Sequence, residues 1–481
     1  MKLSSLIGAE DKIIGPDAEI FGLCHNSKMV KKGDVFFALS GQNFSGVDYI
    51  KEAIENGACA IITDKNIGNI DGASVVQTQN ARSAMAQMAS RFYSEPQNKM
   101  VIVMITGTNG KTTTTYIIKS ILNSAGIKAG IIGTTGAIWG NNNINTGMTT
   151  PDPIELFNIL SQMQKDNVKV VIMEASAHAL ALNKLDGIKS DISVLTNITE
   201  DHLDFFKTMD NYAMAKYKLF SKEKSRAAVV CTDDSYTKNM FYSLKIPSIS
   251  CGLNKNADIK AEKIANNSIG QTFSAIILGK KQDYNIALDG VFNVKNALCA
   301  IAAAKLLGIS EENIKDGLKH LEAVPGRFNR INANGAKVII DFAHTPDGIL
   351  NVIQAGRKLA EANRLIVVFG CGGDRDKQKR SIMGKIATNN ADFCYITSDN
   401  PRSEKPADII AEITSGISKN NYCVIEDRKE AIKAAIVNAN ANDVVMILGK
   451  GHENYMEING VKHPYSDYSV VEEIVESNKE K

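Results

Sequence analysis

Short apolar runs punctuate the chain from end to end, at Ala58–Thr63, Met100–Thr106, Val168–Glu174, Asp191–Thr196, Ala227–Cys231, Val338–Asp341, Leu365–Gly370, Phe393–Thr397 and Val444–Leu448. Many lack polar–apolar alternation and are rich in Val and Ile. That pattern predicts strands buried on both faces of a mostly parallel sheet. Between them, helical patterns run over Asn80–Tyr93, Thr112–Ala125, Ile154–Asp166, Asn293–Leu307, Gly348–Glu361, Pro406–Ile417 and Lys429–Ala439. Strand–helix alternation predicts an α/β fold. Glu95-Pro96-Gln97-Asn98 interrupts one helix just before a strong strand, and Val324-Pro325-Gly326 follows another helical run. Cuts there predict domains at 1–97, 98–325 and 326–481. The charged tail from Glu472 is expected to be a fraying helix.

The length of 481 residues fits several domains. With 44% hydrophobic and 22% charged residues, and Lys+Arg exceeding Asp+Glu by only two, the chain is neither disordered nor broadly basic. That balance argues against nucleic acid as a partner. Eight cysteines stand no closer than twenty residues apart, so paired zinc-site spacings are absent and buried free thiols in a reducing compartment are expected. The first residues lack a signal-peptide core, and no apolar run approaches the ~20 residues of a membrane span. A soluble cytoplasmic protein is the expectation.

The sharpest local feature is Val101-Ile102-Val103-Met104-Ile105-Thr106-Gly107-Thr108-Asn109-Gly110-Lys111-Thr112-Thr113. A strand enters a small glycine-containing turn and leaves as a helix. Such a turn aims backbone N–H groups at an anion, and the helix start adds partial positive charge. Lys111 can reach β- and γ-phosphates, and the Thr112 hydroxyl can ligate Mg²⁺. The match to the general phosphate loop is incomplete, because Ile105 stands where that pattern has Gly.

Five further polar clusters follow predicted strands. Glu174-Ala175-Ser176-Ala177-His178 carries a carboxylate that could hold Mg²⁺ or simply end its strand in solvent. Asn197…Asp201-His202 offers a histidine that is either a metal ligand or structural. Gly370–Asp376 combines adjacent glycines with Arg375, either a ligand loop or a solvated charge run. Asp399-Asn400-Pro401-Arg402 and Gly449-Lys450-Gly451-His452-Glu453 complete the set. Clusters at so many parallel-strand ends would line clefts on the domain edges.

Together with Asn293-Val294-Lys295-Asn296, Pro325-Gly326-Arg327 and Asp341-Phe342-Ala343-His344-Thr345-Pro346, these segments resemble the Mur ligase family over nearly the whole chain. The resemblance implies an α/β, three-domain architecture: an N-terminal UDP-sugar-binding domain, a central phosphate-loop ATPase domain and a C-terminal Rossmann-like domain that receives the amino acid. It implies that Gly107, Thr108, Asn109, Gly110, Lys111, Thr112, Asn293, Asn296, Arg327 and Asp341 bind ATP. The two asparagines would face adenine, Arg327 the phosphates and Asp341 the ribose. Ser27, Thr149, Thr150, Ser176 and Lys184 would bind the UDP-muramoyl-dipeptide, with Lys28 and Lys184 standing where the family usually has Arg. Thr112, Glu174, His202 and Lys216 would hold Mg²⁺, Lys216 as a carboxylated lysine. Lys111, Glu174, His202 and Lys216 form the expected catalytic set.

Within the family, Met173–Leu180 and Gly370–Lys377 resemble the members that add the third peptide residue. Asp399-Asn400-Pro401-Arg402 resembles those using meso-2,6-diaminopimelate, with Arg375, Asp399, Asn400, Pro401, Arg402, Gly449 and Glu453 as its site. An arginine pair, Arg375 and Arg402, suits the second carboxylate of diaminopimelate. L-Lysine would leave that pair buried without a partner. The implied reaction activates the D-Glu γ-carboxylate of UDP-N-acetylmuramoyl-L-alanyl-D-glutamate as an acyl phosphate, which the amine then attacks. The C-terminal domain would rotate inward to exclude water. A monomer without nucleic-acid or membrane partners is expected. The rivals are an L-lysine-adding ligase, a folylpolyglutamate synthetase-like ligase and a nucleotide-binding switch.

Overall fold

A computed structural model describes residues 1–41, 45–267 and 270–479, which build three large sheets in succession and a two-stranded hairpin of Tyr455–Ile458 and Val461–Pro464. The first has five strands in the order Lys12–Ile14, Ser74–Gln77, Ala60–Thr63, Asp34–Phe37, Gly22–Cys24, parallel except at its Lys12–Ile14 edge. The second has eleven. Its heart is a parallel run in the order Ala129–Gly133, Val170–Glu174, Val101–Thr106, Ser190–Leu195, Ser225–Cys231, Ser248–Gly252, Ile259–Asn267. Antiparallel strands extend both edges. The third sheet has six strands, Asn329–Ala333, Ala336–Asp341, Val444–Leu448, Leu365–Phe369, Phe393–Ile396 and Tyr422–Val424, parallel after the first.

The doubly buried strands follow from their side chains. Val103, Ile105, Ile131 and Ile172 point into one apolar core, and the intervening Ile102, Met104, Val171 and Met173 into another on the opposite face. Burying each such side chain contributes about 1.5–3 kcal/mol. The helices Lys111–Ser124 and Val291–Leu306 pack into the first core. Helix Val291–Leu306 is buried nearly all round, as its run of Ala and Leu requires.

The strand Val444–Leu448 has the bounds its sequence predicts, and the other predicted strands and helices agree to within a few residues. The central sheet is mostly parallel, as expected, and its antiparallel strands are Gly136–Trp139 and Asn142–Ile144 at one edge and Gly270–Ile277 and Lys280–Ile286 at the other. The last of these is largely exposed and its Lys-rich sequence carries a weak strand signal. The tail forms the helix Asp467–Lys479, and the end of the expected fraying segment lies outside the described residues. The expectation of buried thiols needs correction. Cys231, Cys251, Cys299, Cys371 and Cys394 are buried, but Cys24 and Cys59 are half-buried and Cys423 is exposed. Cys24 and Cys423 lie on edge strands, which have a neighbour on one side only. Among the described residues, no helix is long and apolar enough to cross a membrane.

Parallel register sets the functional edge. Glu174 pairs with Ile105 and Leu195 with Thr106, so three strands of the central sheet end at one level. In the third sheet, Asp341 and Phe369 both pair with Leu448. Residues that follow both sets of ends line a single cavity of about 810 Å³, in the size range of a small-molecule site.

Candidate active site

The loop Gly107–Gly110 joins the strand Val101–Thr106 to the helix Lys111–Ser124. Gly110 sits at φ +87°, and a Cβ there would lie 2.2 Å from Asn296 Oδ1, so only glycine fits. Gly110 also offers no capping side chain, which leaves the first helix N–H groups for an anion. The cluster after Leu195 braces the loop. Asn109 N–H donates to Asn197 Oδ1 (2.9 Å), Asn197 Nδ2 donates to Asn109 O (3.0 Å), and Thr108 Oγ1 donates to Thr199 O (3.0 Å). Lys111 Nζ folds back to donate to the carbonyls of Gly107 and Thr108, both at 3.0 Å. Burial, with Arg327 nearby, holds its ammonium below the usual lysine range against the pull of Glu174 and Asp201.

Glu174 is not a solvated strand end but is 1% exposed. Thr134 N–H donates to its Oε1 (3.0 Å) and Thr134 Oγ1 to its Oε2 (3.1 Å). The expected substrate-path residues gather behind it. Thr149 Oγ1 lies 3.1 Å from Thr134 Oγ1, Thr150 Oγ1 donates to Glu174 O (2.8 Å), and Ser176 N–H donates to Thr150 Oγ1 (3.1 Å). Ser176 also caps the helix Ala177–Ala181. Ser27 and Lys184 are not among the residues lining the cavity. Ser27 is buried in the first sheet's domain and donates to Glu52, while Lys184 Nζ pairs with Asp152 (2.8 Å).

The opposite wall carries His202, Asp201 and Lys216. His202 starts the short helix Leu203–Phe206, and its ring packs edge-on to His178 at 4.7 Å. Burial pushes its pKa down to about 3, with His178, His344 and Lys216 adding to the shift and Asp201 opposing it. The imidazole is therefore neutral at neutral pH, with a lone pair to give. Burial alone would raise Asp201, but His202, Lys379 and His344 outweigh it and keep the carboxyl ionised. Lys216, a surface lysine by sequence context, is 1% exposed. Its Nζ donates to Gly107 O (2.9 Å) and lies 4.4 Å from the Tyr212 ring centre. Burial, then repulsion from Lys111, drives this amine well below the usual lysine range despite Asp201.

The crossing into the third sheet also reaches the loop. Arg327 Nη2 donates to Thr112 Oγ1 (3.1 Å), and its guanidinium stacks 4.6 Å over Phe342. Among the described residues, its buried Nε has no hydrogen-bond partner. Asn296 Nδ2 donates to Asn293 Oδ1 (3.0 Å), which fixes the pair at the loop's flank. Asp341 is buried, and each of its oxygens accepts a backbone N–H, from Phe328 (2.8 Å) and Ala343 (2.7 Å).

The third sheet supplies the remaining wall. Asn400 Nδ2 (2.8 Å) and Lys450 Nζ (3.0 Å) both donate to Glu453 Oε2. Arg402 Nη1 donates to Gly373 O (2.7 Å) and its Nε to Glu457 Oε2 (3.1 Å), on the hairpin strand Tyr455–Ile458. Pro401 is buried, and its carbonyl accepts from Glu404 N–H (3.0 Å). Gly449 passes so close to Asp399 that a Cβ would meet its Oδ2 at 2.6 Å. Arg375 is exposed and Arg402 is already paired, which corrects the expectation of a buried, unpartnered arginine pair. The Gly370–Asp376 loop is exposed at Asp374 and Arg375, and Arg375, whose Nη1 donates to Asp374 O (3.2 Å), lines the cavity.

The cavity thus unites most of the expected residues. Gly107 and Thr150 stand behind its lining as carbonyl acceptor and hydroxyl donor. Among the described residues, no three His, Cys, Asp or Glu side chains are grouped to hold a metal ion. The Thr112 hydroxyl and the Glu174 carboxylate are the oxygen donors beside the loop, a set that suits Mg²⁺ completed by phosphate oxygens and water. Sequence reasoning missed two buried cations, Lys379 and Lys450. Lys379 Nζ reaches Asp201 Oδ1 at 3.6 Å, and Lys450 Nζ donates to Asn400 Oδ1 at 3.0 Å. Both lie within or beside clusters read for other residues.

Comparison with known proteins places this geometry. Residues 19–93 match "Mur ligase family, catalytic domain", 105–304 "Mur ligase middle domain" and 326–451 "Mur ligase, glutamate ligase domain". The chain is 43% identical over 480 residues, 99% of each chain, to the UDP-N-acetylmuramoyl-L-alanyl-D-glutamate--2,6-diaminopimelate ligase of Caldanaerobacter subterraneus subsp. tengcongensis. A solved structure of a ligase with that name superposes with a TM-score of 0.68 at 32% identity, over 97% of this chain and 98% of the other. The MurF ligase of Thermotoga maritima in complex with ADP shares the fold, with a TM-score of 0.67 at 21% identity over 97% of this chain and 99% of the other. Family matches across all three sheets, with a relative of such identity along the full length, establish that the chain belongs to the Mur ligase family.

Proposed function

We propose that this protein joins meso-2,6-diaminopimelate to the D-Glu γ-carboxyl of UDP-N-acetylmuramoyl-L-alanyl-D-glutamate, with ATP converted to ADP and phosphate. The observation that carries this reading is one cavity built from two sheets, with the loop at Lys111 on one wall and Asp399–Arg402 on the other. The name borne by the 43%-identical relative supports it.

A carboxylate and an amine do not condense in neutral water. The γ-carboxylate oxygen first attacks the γ-phosphorus of ATP, giving an acyl phosphate and ADP. The diaminopimelate amine then attacks the acyl carbon, and phosphate departs from the tetrahedral intermediate. Such chemistry is mainly positioning and charge neutralisation. Residues Gly107–Gly110 and the helix start cradle the phosphates. Lys111 swings from the loop carbonyls to the γ-phosphate. Asn293 and Asn296 flank the adenine, and Arg327 supplies charge beside Thr112. Asp341 sits toward the ribose while it fixes Phe328 and Ala343.

Thr112 and Glu174 would hold Mg²⁺, which would neutralise phosphate charge, and His202 and Lys216 would serve a second ion. Lowering the Lys216 pKa by burial favours the free amine, the form that takes up CO₂, so Lys216 is suited to carry a carbamate. Thr149, Thr150 and Ser176 line the path of the dipeptide toward Glu174, with Ser27 and Lys184 further out along the nucleotide-sugar. Arg375, Arg402 and Glu453 receive the distal end of diaminopimelate, on the frame of Asp399, Asn400, Pro401 and Gly449.

The test is phosphate release with meso-diaminopimelate, L-lysine and D-glutamate in parallel. Release should require the UDP-muramoyl-dipeptide and be fastest with diaminopimelate. Lys111→Ala should lower it by about 10²–10³-fold. Release that needs no amino acid would favour the nucleotide switch.

A further inference from the structure

Three cysteines far apart in sequence meet in the central core. Cys231 and Cys251 are register partners on adjacent parallel strands, and Cys299 lies on the helix packed over them. The Sγ atoms of Cys251 and Cys299 are 3.5 Å apart, and all three thiols are free. Cys251 and Cys299 are fully buried, while Cys231 is 2% exposed and forms part of the cavity wall. A thiol on the cavity with two more behind it is the arrangement of a peroxide-sensing cysteine beside resolving partners. Cys299 follows Asn296 by one helical turn, and Leu253, two residues beyond Cys251, lines the same cavity.

We propose that Cys231, Cys251 and Cys299 form a reversible thiol–disulfide modification site, in which oxidation at Cys231 is relayed to a Cys251–Cys299 disulfide that weakens nucleotide binding. The effect on binding rests on the nucleotide reading of the cavity; the disulfide itself does not. The Cys231 thiolate attacks hydrogen peroxide, taking one oxygen as sulfenic acid and releasing hydroxide. The Cys251 thiol displaces that oxygen as water, giving a Cys231–Cys251 disulfide. The released hydroxide takes the Cys299 proton as the second water, and the resulting thiolate attacks the Cys251 sulfur and expels Cys231 as thiolate. In sum, two thiols and one peroxide give one disulfide and two waters.

The neighbouring thiols and Lys295 favour the thiolate at Cys231 against its burial and hold its pKa below the usual thiol range, although its Sγ also faces Asp233 Oδ2 at 3.8 Å, while Cys251 and Cys299 lie above that range. Closing the contact to a bond of about 2.05 Å draws the helix toward the strand. A close-packed core transmits that shift to Asn296 and Asn293.

The experiment treats the full-length protein with hydrogen peroxide under native conditions, alkylates the remaining thiols and maps the peptides. A Cys251–Cys299 crosslink is expected. The Kd of a fluorescent ADP analogue should rise at least fivefold and recover with dithiothreitol. Saturating ADP should protect, and Cys231→Ala should slow crosslinking at least tenfold. Cys299→Ala and Cys251→Ala should each keep their own pre-treatment Kd after peroxide. A protein whose Cys251 and Cys299 stay alkylatable overturns the site. A complete crosslink with unchanged Kd overturns its effect on the cavity, and crosslinking at an undiminished rate in Cys231→Ala overturns the relay. None of these readouts needs the ligase substrates, so they stand apart from the failure of that function.

Discussion

Lys379 of the C-terminal domain reaches Asp201 of the central one, Nζ to Oδ1 3.6 Å, and both side chains are buried. The pair ties the Gly370–Asp376 side of the cavity to the His202 side. Removing one partner of a buried pair leaves the other uncompensated, at a cost on the order of 3 kcal/mol. Lys379→Met should lower the urea midpoint accordingly, and Asp201→Asn/Lys379→Met should recover part of the loss. Additive effects in that double-mutant cycle would show that the two groups are not coupled.

On the proposed function, Arg402 is expected to bear on amino-acid choice. Its two donated bonds, to Gly373 and Glu457, hold it on the cavity wall. Replacing its planar fork by a point charge, Arg402→Lys, should raise KM for meso-diaminopimelate about 30-fold, roughly 2 kcal/mol. Residual turnover of L-lysine should change far less. An equal loss for both amino acids, read from steady-state KM values, would remove Arg402 from selectivity.

Acid should loosen the seam between the two domains. His452 Nε2 donates to Thr134 O (3.2 Å), and burial, with Arg327 nearby, lowers its pKa to about 4. His344 is likewise lowered to about 4, by burial and then Lys379. Both take up protons more readily when released. The stability of the closed arrangement is therefore complete above about pH 6.5 and is lost progressively as pH falls toward about 4. Thermal midpoints across this window should decline, and His452→Gln should flatten the decline. An unchanged slope in the variant would exclude His452 as a source.

Lys216 should prove CO₂-dependent. Labelled bicarbonate should give a carbamate carbon signal by NMR that is lost in Lys216→Ala, and turnover should fall in CO₂-depleted buffer. Full activity in Lys216→Arg, which stays cationic, would end the carbamate assignment.

The sequence made the layered α/β class and the strand-end sites legible, because unbroken Val/Ile runs such as Val444–Leu448 leave little other reading. The loop at Lys111 was readable from its strand–turn–helix setting despite Ile105. The burial of Lys216 was not, since a lysine in a short polar helix has the same local pattern whether it faces water or Gly107 O. Lys379 was hidden for a related reason: its partner, Asp201, lies on another element, and pairing across elements leaves no periodicity; Lys450 pairs both with Glu453 in its own segment and with Asn400 on another. The antiparallel edge at Lys280–Ile286 escaped because only Tyr284 and Ile286 of its side chains are buried and its register is set by a neighbouring strand.

Arg327 is the point where the chain leaves the central domain and also the side chain that grips Thr112. The joint and the grip are therefore one part. A swing of the C-terminal sheet about Pro325-Gly326 would act as a lever with a very short arm, transmitted at once to Thr112 through Arg327. Extra residues spliced ahead of Gly326 would leave both halves folded yet mechanically out of step.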